Sequence, residues 1–371
     1  MLNVKLILKP QSLIFIIKKV FLSYIDHINL NKMKHTLKVF AVIFLVSCSP
    51  KVEVEKPTFG IVIHGGAGTI LKENMSEEME KAYREKLTEA IAVGHAILKA
   101  GGTSQDAVEQ TIHVMENSPL FNSGKGAVLT SDESIALDAS FMDGKTLDAG
   151  AIAGVKHVKN PISAAIKVMN SSPHVMLSGA GADRFAAEQG LDTVPESYFI
   201  TERRFNALKR LKARDANKQK ALTTSEMQYY RNQRIGTVGC VALDLTGNLA
   251  AGTSTGGMTN KKWDRIGDAP IIGAGTYANN ASCGVSATGW GEFFIRSVVA
   301  HDIAALVEYK NLSVVEASKQ VMQKVKDLGG DGGVVVLDSK GNVAMEFSTS
   351  GMYRAHMNAA GAIDVKIYIN E

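Results

Sequence analysis

Residues 241–258, Val-Ala-Leu-Asp-Leu-Thr-Gly-Asn-Leu-Ala-Ala-Gly-Thr-Ser-Thr-Gly-Gly-Met, line up without a gap with residues 335–352, Val-Val-Leu-Asp-Ser-Lys-Gly-Asn-Val-Ala-Met-Glu-Phe-Ser-Thr-Ser-Gly-Met. In each copy two apolar runs flank a turn centred on Thr246-Gly247 or Lys340-Gly341, the pattern of a β-hairpin. Between the copies, residues 291–310 read as one long helix, and the capping box Ser313-x-x-Glu316 opens another that stops at Gly329-Gly330. Hairpins alternating with paired helices favour a layered α/β sandwich over an open doubly wound sheet.

The first half adds elements of the same kinds. Phe59-Gly-Ile-Val-Ile63 reads as a buried strand running into His64-Gly-Gly-Ala-Gly68. Ser76 is a helix N-cap, with Tyr83, Leu87, Ile91 and Leu98 near helical spacing up to a stop at Gly101. Thr103-Ser-Gln-Asp106 and Asn160-Pro161 open two further helices, and residues 127–137, 149–155 and 175–181 read as strands.

Composition sets wide bounds. A chain of 371 residues, 45% hydrophobic and 21% charged, is ordinary for a globular protein of one large or two medium domains. The formal charge is +4, and residues 203–220 hold eight Lys/Arg against Asp215 alone, so the rest of the chain stands at −3. Without interleaved aromatics that basic run reads as a solvated loop, the competing reading being a phosphate-binding or membrane-surface patch. Residues 200–236 are basic, rich in Gln and Asn, and expected to form a flexible linker.

Three cysteines, Cys48, Cys240 and Cys283, suit neither a zinc site nor a disulfide framework. His64, His113, His157, His174 and His301 have no metal-ligand spacing and read as core or surface histidines. Gly124-Lys-Gly126 lacks the Walker spacing, Gly179-Ala-Gly181 lacks a dinucleotide fingerprint, and no nucleotide cofactor or nucleic-acid partner is expected.

Residues 1–47 are set apart as a leader. Met33-Lys-His-Thr-Leu-Lys38 is a short basic opening before an apolar run over 39–46 and Ser47-Cys48, a secretory signal pattern that resembles a bacterial lipobox. The expected start is Met33, with Cys48 acylated and residues 48–56 a tether, giving a periplasmic, membrane-anchored lipoprotein. If the signal is not used, the protein stays in the cytoplasm.

The sharpest local signal is Gly236-Thr237-Val-Gly-Cys240, a glycine and threonine between the basic linker and a buried strand. A lone hydroxyl is a poor nucleophile and needs a base within hydrogen-bond reach. If the Gly236–Thr237 bond breaks, Thr237 carries its own base, an α-amine with a reference pKa of roughly 7.7–8.0. Glycine suits the preceding position because it tolerates backbone conformations closed to other residues.

Seven motifs in order resemble the isoaspartyl peptidase and plant-type asparaginase family of threonine-type N-terminal-nucleophile hydrolases. They are His64-Gly-Gly-Ala-Gly68, Pro119-Leu-Phe-Asn-Ser-Gly-Lys-Gly-Ala127, Leu137-Asp-Ala-Ser-Phe-Met-Asp-Gly144, Gly236-Thr237, Thr253-Ser-Thr-Gly-Gly-Met-Thr259, Arg265-Ile-Gly-Asp268 and Thr288-Gly-Trp-Gly-Glu292. The resemblance covers nearly all of residues 58–355 and implies one four-layer αββα sandwich. It also implies self-cleavage before Thr237 into an α fragment (57–236) and a β fragment (237–371), and a dimer of such pairs.

By resemblance Thr237 is the nucleophile, Thr255 its hydrogen-bonded neighbour, and Asn122 a third residue close by. Arg265 and Asp268 match the pair that grips the α-carboxylate and α-amine of the substrate, as a guanidinium fork and a carboxylate can. A surface ion pair is the plainer reading of these two. Thr288 and Gly289 match the oxyanion hole, and Gly291 joins the substrate-binding set. The loop 115–125, bounded by Met115 and Lys125, matches one whose carbonyls hold a structural sodium ion; no catalytic cofactor is implied.

The implied substrates are isoaspartyl dipeptides and L-asparagine. Glycosylasparaginase activity is the alternative within the family, kept open by Trp290, which stands where many relatives carry a small or polar residue. An inactive lipid-anchored binding protein with the same fold is the alternative outside it.

Overall fold

A computed structural model of the chain describes residues 58–216 and 236–371. Met33, Cys48, the tether and residues 217–235 lie outside that range. The strands are β1 (Gly60–Gly68), β2 (Leu137–Asp143), β3 (Ala149–Val155), β4 (Met176–Ser178), β5 (Val238–Leu243), β6 (Leu249–Thr255), β7 (Thr276–Ala278), β8 (Cys283–Gly289), β9 (Gly332–Asp338), β10 (Val343–Phe347), β11 (Gly351–Asn358) and β12 (Ile363–Tyr368). They form an eight-stranded sheet, β12-β11-β1-β5-β6-β2-β3-β4, and a four-stranded sheet, β10-β9-β8-β7.

The two echoing stretches are hairpins, one in each sheet. β5 pairs with β6 from Val238↔Ser254 to Leu243↔Leu249, and β9 with β10 from Gly333↔Phe347 to Leu337↔Val343. Side chains alternate across a strand. Val241, Leu243, Leu249 and Ala251 therefore meet Val335, Leu337 and the partly buried Val343 and Met345 in one apolar layer between the sheets.

The opposite faces carry helices. Ile61 and Ile63 of β1 and Cys240 and Ala242 of β5 pack under Leu87 and Ile91 of α1 (Glu77–Lys99) and Val108 and Ile112 of α2 (Ser104–Glu116). Val334 and Val336 of β9 pack under Ile303 of α7 (Val299–Lys310) and Val321 and Val325 of α8 (Val314–Asp327). The result is helix, sheet, sheet, helix, the layered architecture expected. Each fully buried Leu, Ile or Val contributes about 1.5–3 kcal/mol.

Local chemistry accounts for most helix ends. Ser76 Oγ accepts from Met79 N at 3.3 Å, Thr103 Oγ1 from Asp106 N at 3.1 Å, and the capping box of Ser313 and Glu316 closes at 3.2 Å in both directions. α3 (Pro161–Ser171) starts on its proline, where the missing N–H costs nothing.

Four expectations are corrected. The strand expected over 127–137 begins only at Leu137, because Thr130 Oγ1 accepts from Ser134 N at 3.1 Å and donates to Asp132, so short polar side chains hold that stretch as a turn. The stretch 175–181 gives a three-residue β4 and then α4 (Gly179–Glu188), in which Ala182 and Ala186 sit four apart on a buried face. The helix over 291–310 is two, α6 (Gly291–Ser297) and α7, broken where Val298 takes left-handed angles (φ 49°, ψ 49°).

The flexible linker expected over 200–236 contains α5 (Glu202–Ala216). Its basic composition hides an apolar stripe: Leu208 and Leu211 are buried and Phe205 packs beside them. That spacing of three is what a helix needs to bury one face.

Ile112→Ala should lower the unfolding free energy by about 2–5 kcal/mol, since Ile112 is fully buried under the large sheet. Tyr309→Ala, at a residue 73% exposed, should change it by no more than about 0.5 kcal/mol. Denaturant titration followed by circular dichroism measures both.

Candidate active site

The turn of the β5–β6 hairpin lies at one end, and Thr237 and Thr255 at the other. With Val238 paired to Ser254, the residue before β5 and the last residue of β6 come together. Thr237 Oγ1 donates to Thr255 Oγ1 at 3.1 Å, and Gly257 N donates to the same oxygen at 3.0 Å. Thr255 thus accepts twice and stands fixed behind the Thr237 hydroxyl.

Asn122 reaches the same point from the loop after α2. Its backbone N–H donates to the Gly236 carbonyl at 3.0 Å. Its side chain is tied at both ends, Nδ2 to Gly257 O at 2.7 Å and Oδ1 from Val128 N at 2.8 Å. Gly236 has φ +131°, a region closed to other residues, and a Cβ there would run into Asn122. Opposite, Gly66 (φ +113°) lies so close to the Gly236 backbone that any side chain would collide with it.

The second sheet supplies the facing wall. Thr288 and Gly289 end β8, and Ala67 N donates to Thr288 Oγ1 at 3.3 Å. Arg265 and Asp268 come from the connection between β6 and β7. Thr237, Thr255, Asn122, Arg265, Asp268, Thr288 and Gly289 all line one cleft. Gly291 abuts Arg265 and Asp268, and a Cβ on it would press on both at 2.9 Å.

The carboxyl of Asp268 is buried, and its Oδ2 has no hydrogen-bond partner among the described residues. Burial pushes its pKa up to about 7, against the downward pull of the Arg265 charge. A positively charged group arriving in the cleft would find an acceptor already desolvated.

Arg265 and Asp268, matched by resemblance to a substrate-gripping pair, share the cleft, and Arg265 has a hydrogen-bonded partner of its own. Glu292 takes two of its donors, Nε at 2.9 Å and Nη2 at 2.8 Å. Glu292 closes the motif Thr288-Gly-Trp-Gly-Glu292, and a carboxylate 27 positions from an arginine gives no sequence signal of its own. Trp290 packs edge-on against Phe293, ring centroids 4.9 Å apart.

His64, read from sequence as a core or surface histidine, is buried and touches the candidate nucleophile. Its Nδ1 lies 3.0 Å from Thr237 O and its Nε2 2.9 Å from Ser286 Oγ. Burial drives its pKa down to about 3, only partly opposed by the bond to Thr237, so the ring is neutral at physiological pH. Because a carbonyl can only accept, Nδ1 carries the proton. The glycine run beside His64 marked the place, but nothing in the sequence marked the contact.

Two residues of the basic run support the loop carrying Asn122. Arg203 Nη2 donates to the carbonyls of Pro119 (3.0 Å) and Leu120 (2.6 Å), and Arg204 Nε donates to Gly126 O at 2.7 Å. The solvated-loop reading of that run is corrected at these two positions. Beneath the cleft, Lys261 and Asp138 form a buried ion pair at 3.8 Å, and Lys261 also donates to Ala136 O at 2.7 Å.

This geometry is compatible with acyl transfer: a hydroxyl held by a second hydroxyl, Thr288 and Gly289 on the facing wall, and a buried carboxyl and a guanidinium in the same cleft. Comparison with known proteins agrees. The family model described as asparaginase matches residues 56–367. The isoaspartyl peptidase of Escherichia coli (strain K12) is 49% identical over 309 residues, covering 83% of this chain and 95% of that protein. The isoaspartyl peptidase/L-asparaginase of Mus musculus is 39% identical over 293 residues, covering 79% and 86%. With cleft, fold and relatives in accord, the chain belongs to the isoaspartyl peptidase and plant-type asparaginase family of N-terminal-nucleophile hydrolases.

Proposed function

We propose that the chain cuts itself between Gly236 and Thr237 and that the freed Thr237 hydrolyses the β-amide of isoaspartyl dipeptides and of L-asparagine. The observation that carries this is the pairing of two contacts at one peptide bond. The Thr237 hydroxyl sits 3.1 Å from Thr255, and the Gly236 carbonyl is polarised by Asn122 N–H at 3.0 Å. The names of the relatives support the substrate class.

In self-cleavage, Thr237 Oγ attacks the Gly236 carbonyl carbon and the peptide C–N bond breaks. The acyl group passes to oxygen, the nitrogen becomes an amine, and water opens the ester. In turnover that amine takes the hydroxyl proton as Oγ attacks the side-chain carbonyl of the substrate. Charge developing on the carbonyl oxygen is met at Thr288 and Gly289. The leaving amine departs with the proton, and water hydrolyses the aspartyl ester to release aspartate. Asp268 takes the α-ammonium of the substrate, and the part of Arg265 not engaged by Glu292 takes its α-carboxylate.

A structural sodium ion in the 115–125 loop is part of the same proposal. The carbonyls of Glu116 and Phe121 face Gly124 and Gly126 so closely that a side chain at either glycine would strike them. Backbone carbonyls are ligands that suit a hard cation. Held by these carbonyls, it would stiffen the loop that presents Asn122 and take no part in the reaction. We also propose export as a lipoprotein with an acylated Cys48, and assembly into a dimer of αβ pairs. An intact-mass N-terminus at Met33 would overturn the first, and a monomeric sedimentation coefficient the second.

Thr237→Ala should remain a single uncut chain without activity, and Gly236→Ala should stay uncut because alanine cannot take φ +131°. Intact-mass analysis reads both, and two fragments from Thr237→Ala would end the proposal. β-Asp-Leu and L-asparagine should be turned over; hydrolysis of N-acetylglucosaminyl-asparagine alone would replace this reading with the glycosylasparaginase one.

Asp268 must be ionised to take the ammonium, so kcat/KM should fall as pH drops through about 7. Asp268→Asn should lower kcat/KM by roughly 100-fold and remove that limb from the pH profile. If the limb persists unchanged in Asp268→Asn, it belongs to another group, such as the Thr237 amine.

A further inference from the structure

The ladders that hold β5 stop short of the nucleophile. Pairing with β1 ends at His64↔Gly239 and pairing with β6 at Val238↔Ser254. Once the bond before Thr237 is broken, that residue has no chain on its N-terminal side. Its carbonyl is held instead by the His64 side chain, at 3.0 Å.

Behind His64 runs a line of hydroxyls. Ser286 Oγ is 2.9 Å from His64 Nε2, Thr253 Oγ1 2.6 Å from Ser286, Thr276 Oγ1 2.6 Å from Thr253, and Ser140 Oγ 2.7 Å from Thr276. All five side chains are fully buried. The line crosses between the sheets at each step: Ser140, Thr253 and His64 stand on β2, β6 and β1, Thr276 and Ser286 on β7 and β8. Gly239, between them, leaves the space, since a side chain there would strike Ser286 Oγ and His64 Nε2.

The Thr237 end of the line gives it a direction. The Thr237 carbonyl can only accept, so His64 donates from Nδ1 and its neutral ring accepts at Nε2. With Nδ1 donating to Thr237, Ser286 donates to His64, Thr253 to Ser286, Thr276 to Thr253 and Ser140 to Thr276, which uses the single proton of each hydroxyl. The carbonyls of Gly252 (3.2 Å from Ser286), Gly275 (3.1 Å from Thr253) and Ala269 (2.6 Å from Ser140) compete for the same protons, and a Ser140 proton held by Ala269 would run the line the other way.

We propose that Ser140, Thr276, Thr253 and Ser286 form a one-way hydrogen-bond relay that locks His64 in its Nδ1-protonated form and so positions the backbone of Thr237. They are positioning residues, since none of the five lines the cleft or touches substrate. The relay lies in an otherwise apolar layer between Val62, Val241 and Val335. A polar network there is tolerated only when every member is satisfied, and well-packed apolar residues would serve stability as well or better. Its use is to orient the Thr237 backbone, and with it the angle between the amine and hydroxyl of that residue.

The test is Thr253→Val, which keeps the shape and removes the middle hydroxyl, beside Thr253→Ser, which keeps the hydroxyl. With β-Asp-Leu, the valine variant should lose roughly 10- to 100-fold in kcat with KM within about twofold of the parent, and should process more slowly. The serine variant should recover to within about threefold. Parental kcat in Thr253→Val, or equal impairment in both variants, overturns the relay.

Should Thr253→Val not fold, the parent itself decides. Nitrogen-15 spectra of histidine-labelled protein, with His64→Gln used for assignment, should show His64 protonated at Nδ1 and not at Nε2; the reverse tautomer overturns the proposal. The same spectrum can be read in uncut Thr237→Ala, because the backbone carbonyl survives there. Failure of the relay is thereby distinguishable from failure of the reading of Thr237 as nucleophile, on which its catalytic consequence rests.

Discussion

The antiparallel register of β5 with β6 is the constraint from which the rest of the site follows. Val238 opposite Ser254 brings Thr237 and Thr255 within 3.1 Å. A shift by one residue would turn every side chain of β5 to the other face. Val241 and Leu243 would leave the layer between the sheets, and Cys240 and Ala242 would leave the helix side. Packing on both faces therefore holds the two hydroxyls together more firmly than any contact between them could.

The second sheet completes what the first cannot. Thr288 and Gly289 close the cleft only because β8 packs against the face of the large sheet that carries Val241 and Leu249. Polar side chains gather at the sheet ends and along the buried line from Ser140 to His64.

Burial gives the site its electrostatic character. The same desolvation that strips His64 of its proton leaves Asp268 reluctant to lose one. Both effects follow from one cause, the penalty on charge away from water, acting on a base in one case and an acid in the other. Glu292 and the Lys261–Asp138 pair balance the remaining buried charges around Arg265.

The sequence by itself determined the hairpins, the capped helices and seven residues that the fold gathers around one cleft, because hydrophobic period, cap chemistry and ordered motifs are all local. It misjudged α4 and α5, whose small or basic residues mask a buried stripe, and the strand expected from residue 127, where polar side chains compete for the backbone. Only the tertiary structure decided that His64 holds Thr237, that Glu292 holds Arg265, and that Arg203 and Arg204 brace the Asn122 loop. Those contacts join residues 173, 27 and about 80 positions apart, and hydrogen bonds over such separations leave no periodicity or spacing in the chain. They exist only once the separate elements have packed against one another.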